Sequence, residues 1–277
     1  MAAPRRQRST GNNGGALRST LVAAVSSVIF LIVVGWVIFT APGWHEVQQS
    51  FFNKAVFDVS LPLIVKAFWV NVQLFLIAEV LILVFGLVVA VLRSLGGPVF
   101  FPIRLLTVLY VDILRALPGV LVIYILGFGI PGLGLAGVTV DPFPYAVLAL
   151  TLIYSAYVSE VYRAGIESVH PSQDAAARSL GLSRAQSLRY VVLPQAVRRV
   201  IPPLLNDFIG LQKDTVLVSY IGVVEIFRQS QIRQAGSFNF TPYMVTALVF
   251  ITLTIPLARL TDLFVARDRR RAAATTR

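Results

Sequence analysis

Long apolar segments alternate with short polar segments along most of this 277-residue chain. A helix needs roughly 20 consecutive apolar residues to cross a bilayer. The segments that reach or approach this length are 19–41, 63–92, 103–129, 143–164, 197–222 and 242–265. The pattern therefore predicts an all-α polytopic membrane protein with six transmembrane helices.

Composition agrees with a membrane protein. Hydrophobic residues make up 56% of the chain and charged residues only 13%, whereas about a quarter of a soluble domain is charged. The mean hydropathy is +0.77. The apolar segment 19–41 is longer than the hydrophobic region of a signal peptide, so we expect an uncleaved span.

The basic residues are distributed unevenly between alternate polar segments. With a cytoplasmic N-terminus, the inner segments hold 17 of the 24 Lys and Arg residues and the outer segments hold 3. Cytoplasmic flanks of membrane proteins carry such an excess. Both termini are therefore predicted to be cytoplasmic, and the net charge of +11 needs no nucleic acid partner.

The same reading divides the chain into regions. Residues 1–18 are predicted to be a disordered basic cytoplasmic tail. Residues 42–62 form an extracytoplasmic connector, residues 63–265 a transmembrane domain, and residues 266–277 a second basic cytoplasmic tail.

Catalytic and metal-binding patterns are missing from the sequence. It has no cysteine and only two histidines, which argues against thiol chemistry and a histidine metal site. It has no P-loop, H-E-x-x-H or G-x-S-x-G motif. The G-x-G-x-x-G match at Gly127–Gly132 ends a predicted span, which favours a turn at the membrane surface over a nucleotide site. We therefore expect the chain to bind no cofactor, and any ATP, as ATP-Mg, to be bound by a partner.

Ionisable side chains inside the spans are candidates for function, because a charge near the centre of a span costs roughly 2.5–3.5 kcal/mol on translocon scales. The charged residues are Glu79, Asp112, Arg115, Glu160, Asp207, Lys213 and Asp214, and their polar neighbours include Asn71, Gln73, Asn206 and Gln212. Charges of both signs suit the path of a zwitterionic amino acid.

Two charged pairs differ in their geometry. Asp112 and Arg115 share a helix face and can pair, which fits a structural salt bridge as well as a functional site. Lys213 and Asp214 are adjacent, so they point about 100° apart and cannot both face one partner in a regular helix.

The polar stretch between the fourth and fifth spans predicts two short helices. Ser172 is a suitable N-cap, and Asp174 lies in the first turn, where negative charge is favourable. Gly181 is a suitable C-terminal glycine. Ser183 and Gln186 form a capping-box pattern that starts a second helix, which is expected to end before Pro194.

The first of these helices has a face of small residues, formed by Ala176 and Ala177 beside Leu180. Such a face allows another protein to approach the backbone closely. The spacing fits a peg that enters a groove on a partner equally well as an amphipathic linker on the membrane surface.

The stretch "SQDAAARSLGLSRAQSLRYVVLP" resembles the EAA loop of ABC importer permeases, whose pattern is E-A-A, three residues, G, nine residues, I, one residue, L-P. "YVSEVYRAGIESV", "LPQAVRRVIPPLLNDFI", "LQKDTVLVSYIGVVEI" and "ILRALPGVLVIYILGFGIP" resemble the polar amino acid branch of that family, the histidine/glutamine/arginine-type permeases. The similarity covers roughly residues 66–265.

The resemblance implies a permease subunit of an ATP-driven importer. Its partners would be an ABC ATPase dimer, an extracytoplasmic solute-binding protein, and a second permease copy or paralogue, within the membrane lipid of a prokaryotic cell. It implies a five-span core, so 19–41 would be an extra N-terminal span. The solute would be a polar or charged amino acid, with another small polar solute or a secondary transporter as alternatives.

The resemblance also implies which residues act. The loop would be the coupling helix, through Ser172, Asp174, Ala175, Ala176, Ala177, Gly181, Leu193 and Pro194. The candidate substrate pathway comprises Asn71, Glu79, Asp112, Arg115, Glu160, Asn206, Lys213, Asp214 and Thr215.

The chain departs from the family pattern in the loop. Ala175 occupies the position of the usual Glu, Ser172 occupies that of a usual Gly, and Asp174 lies about 100° around the helix from Ala175. Asp174 could replace the usual carboxylate from this angle, or the partner ATPase could have changed.

Overall fold

The computed structural model describes the backbone of residues 13–275 and the side chains of residues 18–267. The chain divides into two compact units, Met1–Asn53 and Lys54–Arg277. Most of the predicted N-terminal tail lies outside the described residues. Within the described range the regular structure is helical and includes no strand, which confirms the predicted all-α class.

The first unit contains helices α1 (Asn13–Thr40) and α2 (Trp44–Phe51). From residue 18 onward, nearly all side chains of α1 are exposed, as expected for a uniformly apolar helix surrounded by lipid. The rings of Phe39 and Trp44 meet edge to face, with their centroids 4.7 Å apart. This contact joins the two helices across the Pro-Gly turn.

The second unit begins with α3 (Lys54–Ser94), a helix of 41 residues. At 1.5 Å per residue it is about 60 Å long, roughly twice the thickness of a bilayer core. Buried residues recur mostly every three, four or seven positions between Ile64 and Ala90. One continuous face of α3 therefore packs against the rest of the unit.

A sharp bend interrupts the predicted span 103–129. Helix α4 (Phe101–Ala116) ends there, and α5 (Gly119–Tyr124) follows at an angle of 108°. Pro118 has no N–H to donate, and a proline disfavours helical backbone in the preceding residue. Leu117 is accordingly extended, with ψ 139°. After a π-helical turn the segment ends in the short α6 (Ile130–Gly132).

The central part of the unit contains α7 (Pro142–Glu167), α8 (Pro171–Ser179), α9 (Arg184–Ser187) and α10 (Leu193–Asp214). A π-helical turn joins α9 to α10 without a break. The prediction that this helical segment ends before Pro194 is therefore wrong. Pro194 has no N–H to donate, and the π-helical turn directly before it is the kind of local adjustment that lets a helix continue through a proline.

The chain ends with a 3₁₀ segment (Thr215–Ile221), α11 (Ile226–Ser237) and α12 (Thr241–Thr275). Gly222 closes the 3₁₀ segment with a left-handed φ of 95°. The predicted span 197–222 is thus an α-helix only as far as Asp214 and continues as the tighter 3₁₀ helix.

Helix α7 lies at the centre of the second unit and packs most extensively against α3 and α10. Gly86 permits close contact with α3, because a Cβ at this position would lie 2.9 Å from the Val158 side chain. Large buried side chains in the core between these helices are Leu74, Ile82, Leu150, Val158 and Leu211.

Within the described residues, α1, α3, α7 and α12 belong to stretches that are long and apolar enough to span a membrane, and the bent pair adds a fifth span if it counts as one. Helix α10 does not meet the same criterion, since it carries several charges. The fold is therefore polytopic as predicted, and the count of six spans stays a prediction.

Candidate functional site

Three carboxylates lie along the inner faces of α3 and α10. Asp207 is partly buried, and its Oδ2 atom has no hydrogen-bond partner. Glu79 of α3 is also partly buried. Near the end of α10, Asp214 accepts a 2.7 Å hydrogen bond from the Tyr154 hydroxyl of α7. Among the described residues, no Lys or Arg forms an ion pair with any of the three.

A second carboxylate site lies nearer the 170–194 loop. Glu160 of α7 forms ion pairs with Arg93 of α3 and with Arg163, the latter at 2.7 Å. Arg115, at the end of α4, approaches Glu160 to 4.0 Å. The Glu160 side chain is only 17% exposed. One carboxylate thus connects three helices through arginines.

Among the described residues, Arg115 does not pair with Asp112, the partner that the spacing along the helix suggested. The pairing with Asp112 on the same helix face is absent from the ion pairs of the described residues. Arg115 instead lies over the Tyr157 ring, 5.7 Å from its centroid, and faces Glu160. The packing of α4 against α7 decides this choice.

A cavity of about 390 Å³ opens between α4, α7 and α10, and we call it the polar cavity. Arg115, Tyr157, Glu160, Arg199 and Asp207 are among its lining residues. Its wall therefore presents both signs of charge and connects the Glu160 cluster with the unpartnered carboxylate of Asp207.

Asn71 and Thr215 belong to a separate buried network. The Asn71 amide donates to Thr215 Oγ1 and to Glu225 Oε2, both at 3.0 Å, and its carbonyl accepts from the Ile226 N–H. All of these side-chain polar groups are thus bonded within the fold. The geometry favours a bracing role for Asn71 and Thr215 over the predicted pathway role, which stays untested.

The sequence analysis did not single out Glu225, which is fully buried. Its carboxylate caps α11 by accepting from the N–H groups of Phe227 and Arg228. Burial raises the pKa of Glu225 above its usual range, although the hydrogen bonds oppose this shift. The one signal in the sequence is a carboxylate directly before a helix.

The remaining pathway candidates are exposed in the described chain, namely Asp112, Asn206 and Lys213. Asn206 lines a separate cavity between α10 and α12, together with Thr261 and Asp262. The structure does not bring these three candidates to the polar cavity. Asp207, which was noted as ionisable but not selected, does line it.

The first helix of the 170–194 loop begins two residues earlier than predicted. His170 is the N-cap of α8, and its ring Nδ1 accepts from the Ser172 N–H at 3.2 Å. The prediction that Ser172 is the cap is therefore wrong. Pro171 fits the first helical position, because it has no N–H and a fixed helical φ.

The break between the two loop helices follows the prediction. Gly181 has φ +87°, a conformation that glycine adopts without steric cost. Its N–H donates to the Arg178 carbonyl, and the Leu182 N–H donates to the Ala177 carbonyl. This pair of bonds is a Schellman motif.

The predicted capping box at the start of α9 is confirmed. Ser183 Oγ accepts from the Gln186 N–H, and Gln186 Oε1 accepts from the Ser183 N–H. The two loop helices are also joined by a side-chain contact that sequence reasoning missed. Asp174 Oδ1 accepts a 2.6 Å hydrogen bond from the Ser187 hydroxyl.

The ends of α7 and α10 that carry the loop are tightly packed. A Cβ on Gly165 would lie only 2.0 Å from the Val200 side chain, so this crossing has room for no side chain larger than hydrogen. The Arg199 guanidinium donates to the Ser168 carbonyl. A displacement of the loop should therefore move both helices.

Comparisons with known proteins connect this arrangement to a family. Residues 82–270 match the family described as "Binding-protein-dependent transport system inner membrane component". The chain belongs to this family. The glutamine ABC transporter permease protein GlnM of Bacillus subtilis, a probable assignment in its own name, is 36% identical over 63% of this chain and 79% of that protein. The L-cystine transport system permease protein TcyB of the same organism is 36% identical over 74% of this chain and 81% of that protein.

A solved structure is similar in both sequence and fold. A chain of an "amino acid ABC transporter with histidines" is 32% identical, with a TM-score of 0.69, and the match covers 74% of this chain and 94% of that chain. This permease is thus a transport subunit of a multi-pass type found in prokaryotic plasma membranes, not an enzyme. The family match begins within α3, so α1 and α2 lie outside it.

Proposed function

We propose that the polar cavity lies on the path of a basic amino acid, one whose side chain carries a cationic group. The chain is the permease subunit of an ATP-driven ABC importer for amino acids, as are relatives named for glutamine, cystine and glutamate. Those names cover several side-chain types, so the solute has to be argued from the cavity itself.

The observation that carries the proposal is the Oδ2 atom of Asp207, which is buried without a hydrogen-bond partner. Leaving a buried charged oxygen unpaired is costly. The ammonium or guanidinium of a passing solute would satisfy it. Glu79 of α3 adds a second partly buried carboxylate that has no ion pair among the described residues.

The opposite wall of the cavity supports a zwitterionic solute. Arg115 is 44% exposed and lies 4.0 Å from Glu160, a long separation for an ion pair. Its guanidinium is therefore available to the α-carboxylate of an amino acid, while Asp207 receives the cationic group. Glu160 is already paired with Arg93 and Arg163. With Arg115 bound to the α-carboxylate, the unpaired carboxylate of Asp207 favours a basic side chain over an acidic one.

The test is ATP-dependent uptake into proteoliposomes that contain the permease with the ATPase that copurifies with it and the solute-binding protein. Labelled arginine, lysine, histidine, glutamine and glutamate would be compared. Asp207→Asn should lower the uptake of basic amino acids about tenfold, the scale of one lost hydrogen bond to a charged group.

Asp262→Asn on α12 is the matched control, because this carboxylate is 71% exposed and lies outside the polar cavity. It should transport like the wild type. Wild-type uptake by Asp207→Asn, or a preference for glutamate, would contradict the proposed path.

We further propose the partners and the orientation. The 170–194 loop, called the coupling loop from here on, would dock on an ATPase dimer that binds ATP-Mg. A solute-binding protein would deliver the solute outside, and a second permease copy or a paralogue would complete the path within the lipid. Both termini would be cytoplasmic, where the basic segments satisfy the positive-inside rule without nucleic acid. The purified chain alone should show no ATP hydrolysis.

A further inference from the structure

The coupling loop carries an open notch of about 610 Å³ on its surface. Side chains of both loop helices line it, including Ala175 and Arg178 of α8 and Arg184 and Gln186 of α9. The Schellman turn at Gly181 and the capping box at Ser183 fix the two walls relative to each other. The notch is therefore a defined shape between two short helices.

The notch is positively charged. Arg178 and Arg184 are both exposed, and neither forms an ion pair within the described part of the chain. Asp174 is the one carboxylate between residues 171 and 194. It is partly buried and already accepts the Ser187 hydroxyl. Asp174 thus holds the two helices together and leaves the arginines uncompensated.

The small side chain of Ala175 leaves space in the notch. It is exposed and precedes Arg178 by three residues, so the two side chains share a face of α8. A glutamate at position 175, as in the family pattern, would fill this space and pair with Arg178. The alanine leaves both the space and the charge open to another molecule.

We propose that an acidic side chain of the partner ATPase enters this notch and pairs with Arg178 and Arg184. The loop then supplies the positive charges of this contact and the ATPase supplies the negative charge. This is the reverse of a contact made by a carboxylate on the loop. The proposal rests on the proposed function only in taking the ATPase as the partner. Leu180 favours a protein as the occupant, because this apolar side chain beside the notch is 84% exposed and a helix can bury such a side chain in a groove on a partner protein.

The first experiment compares Ala175→Glu with Ala175→Gln in the complete transporter. The two side chains have nearly the same size and differ in charge. The glutamate would pair with Arg178 and repel the incoming carboxylate, so solute-stimulated ATP hydrolysis should fall about tenfold, whereas the glutamine should stay within about twofold of wild type. Wild-type hydrolysis with the glutamate, or an equal loss with both, would overturn the proposal.

The second experiment removes the arginines. Arg178→Gln combined with Arg184→Gln should weaken binding of the ATPase to the detergent-solubilised permease about tenfold and reduce the salt dependence of that binding. Arg189→Gln is the matched control, since Arg189 is exposed but does not line the notch. Unchanged ATPase binding with weaker binding to phosphatidylglycerol vesicles would assign the arginines to lipid and reject the ATPase contact.

The two proposals fail in different ways. Amino acid uptake by the wild-type transporter tests the proposed function alone. If the wild type transports no amino acid while the Arg178→Gln, Arg184→Gln variant still binds the ATPase more weakly than Arg189→Gln does, the notch contact stands and the proposed solute falls.

Discussion

The coupling loop and the polar cavity adjoin each other at the same end of the helix pair α7 and α10, yet they treat their polar groups differently. In the loop, His170, Ser183, Gln186 and Asp174 all find partners within the loop. In the cavity, Asp207 keeps a buried oxygen without one. A region that must hold its shape bonds its own polar groups, whereas a region that must bind a passing solute leaves some of them open.

Thermal unfolding of the purified permease can sharpen this contrast, and the largest effect is expected at the Glu160 cluster. Glu160→Gln leaves Arg93 and Arg163 without their shared carboxylate in a mostly buried setting. Breaking such a pair should lower the free energy of unfolding by about 3 kcal/mol. Glu167→Gln is the control, because Glu167 is 61% exposed and should cost well under about 1 kcal/mol. Equal melting temperatures for the two variants would show that the cluster does not join the helices.

The next effect is expected at Gly181, where φ is +87°. Valine at this position must adopt a left-handed backbone and should destabilise the loop by about 1–2 kcal/mol. Since the loop is proposed to couple the permease to the ATPase, uptake should become uncoupled from ATP hydrolysis while membrane insertion is unchanged. Gly236→Ala in α11 is the control, because a Cβ there would meet nothing within 4 Å. Unchanged uptake by Gly181→Val would reject the coupling role of this turn.

A smaller effect is expected at the cap of α9. Ser183→Ala removes the acceptor for the Gln186 N–H and should cost about 1 kcal/mol. Local hydrogen exchange in residues 183–187 would measure it. Ser183→Asp should restore protection, since aspartate is also a good N-cap, and failure of this rescue would argue against capping as the cause.

The smallest effect on stability is expected at Asp207. This position tests directly the comparison between the coupling loop and the polar cavity. Because its Oδ2 atom has no partner in the described structure, Asp207→Asn should leave the melting temperature unchanged or raise it slightly, even as uptake falls. A clear loss of stability would show that Asp207 supports the fold, and the comparison between the two regions would then fail.

Fold class and much of the coupling loop follow from the sequence. Spans can be recognised by apolar length, Gly181 by its position after a helical segment, and the Ser183–Gln186 box by a spacing of three. The cap at His170 was missed because Ser172 is the more usual capping residue, and the helix begins two residues earlier, with Pro171 in its first position. Asp207 was visible as a charge in a span, but nothing in its neighbourhood along the chain marks it as unpaired.

The features that the sequence predicts and those that it does not differ in the distance along the chain over which their interactions act. Caps, turns and hydrophobic length depend on residues within a few positions, so the sequence by itself determined them. The partners of Arg115, Asn71 and Glu160 depend on which helices meet, and Asn71 bonds Glu225 across 154 positions. Only the packing of α3, α4, α7 and α10 decided which charges are paired and which one is left open in the polar cavity.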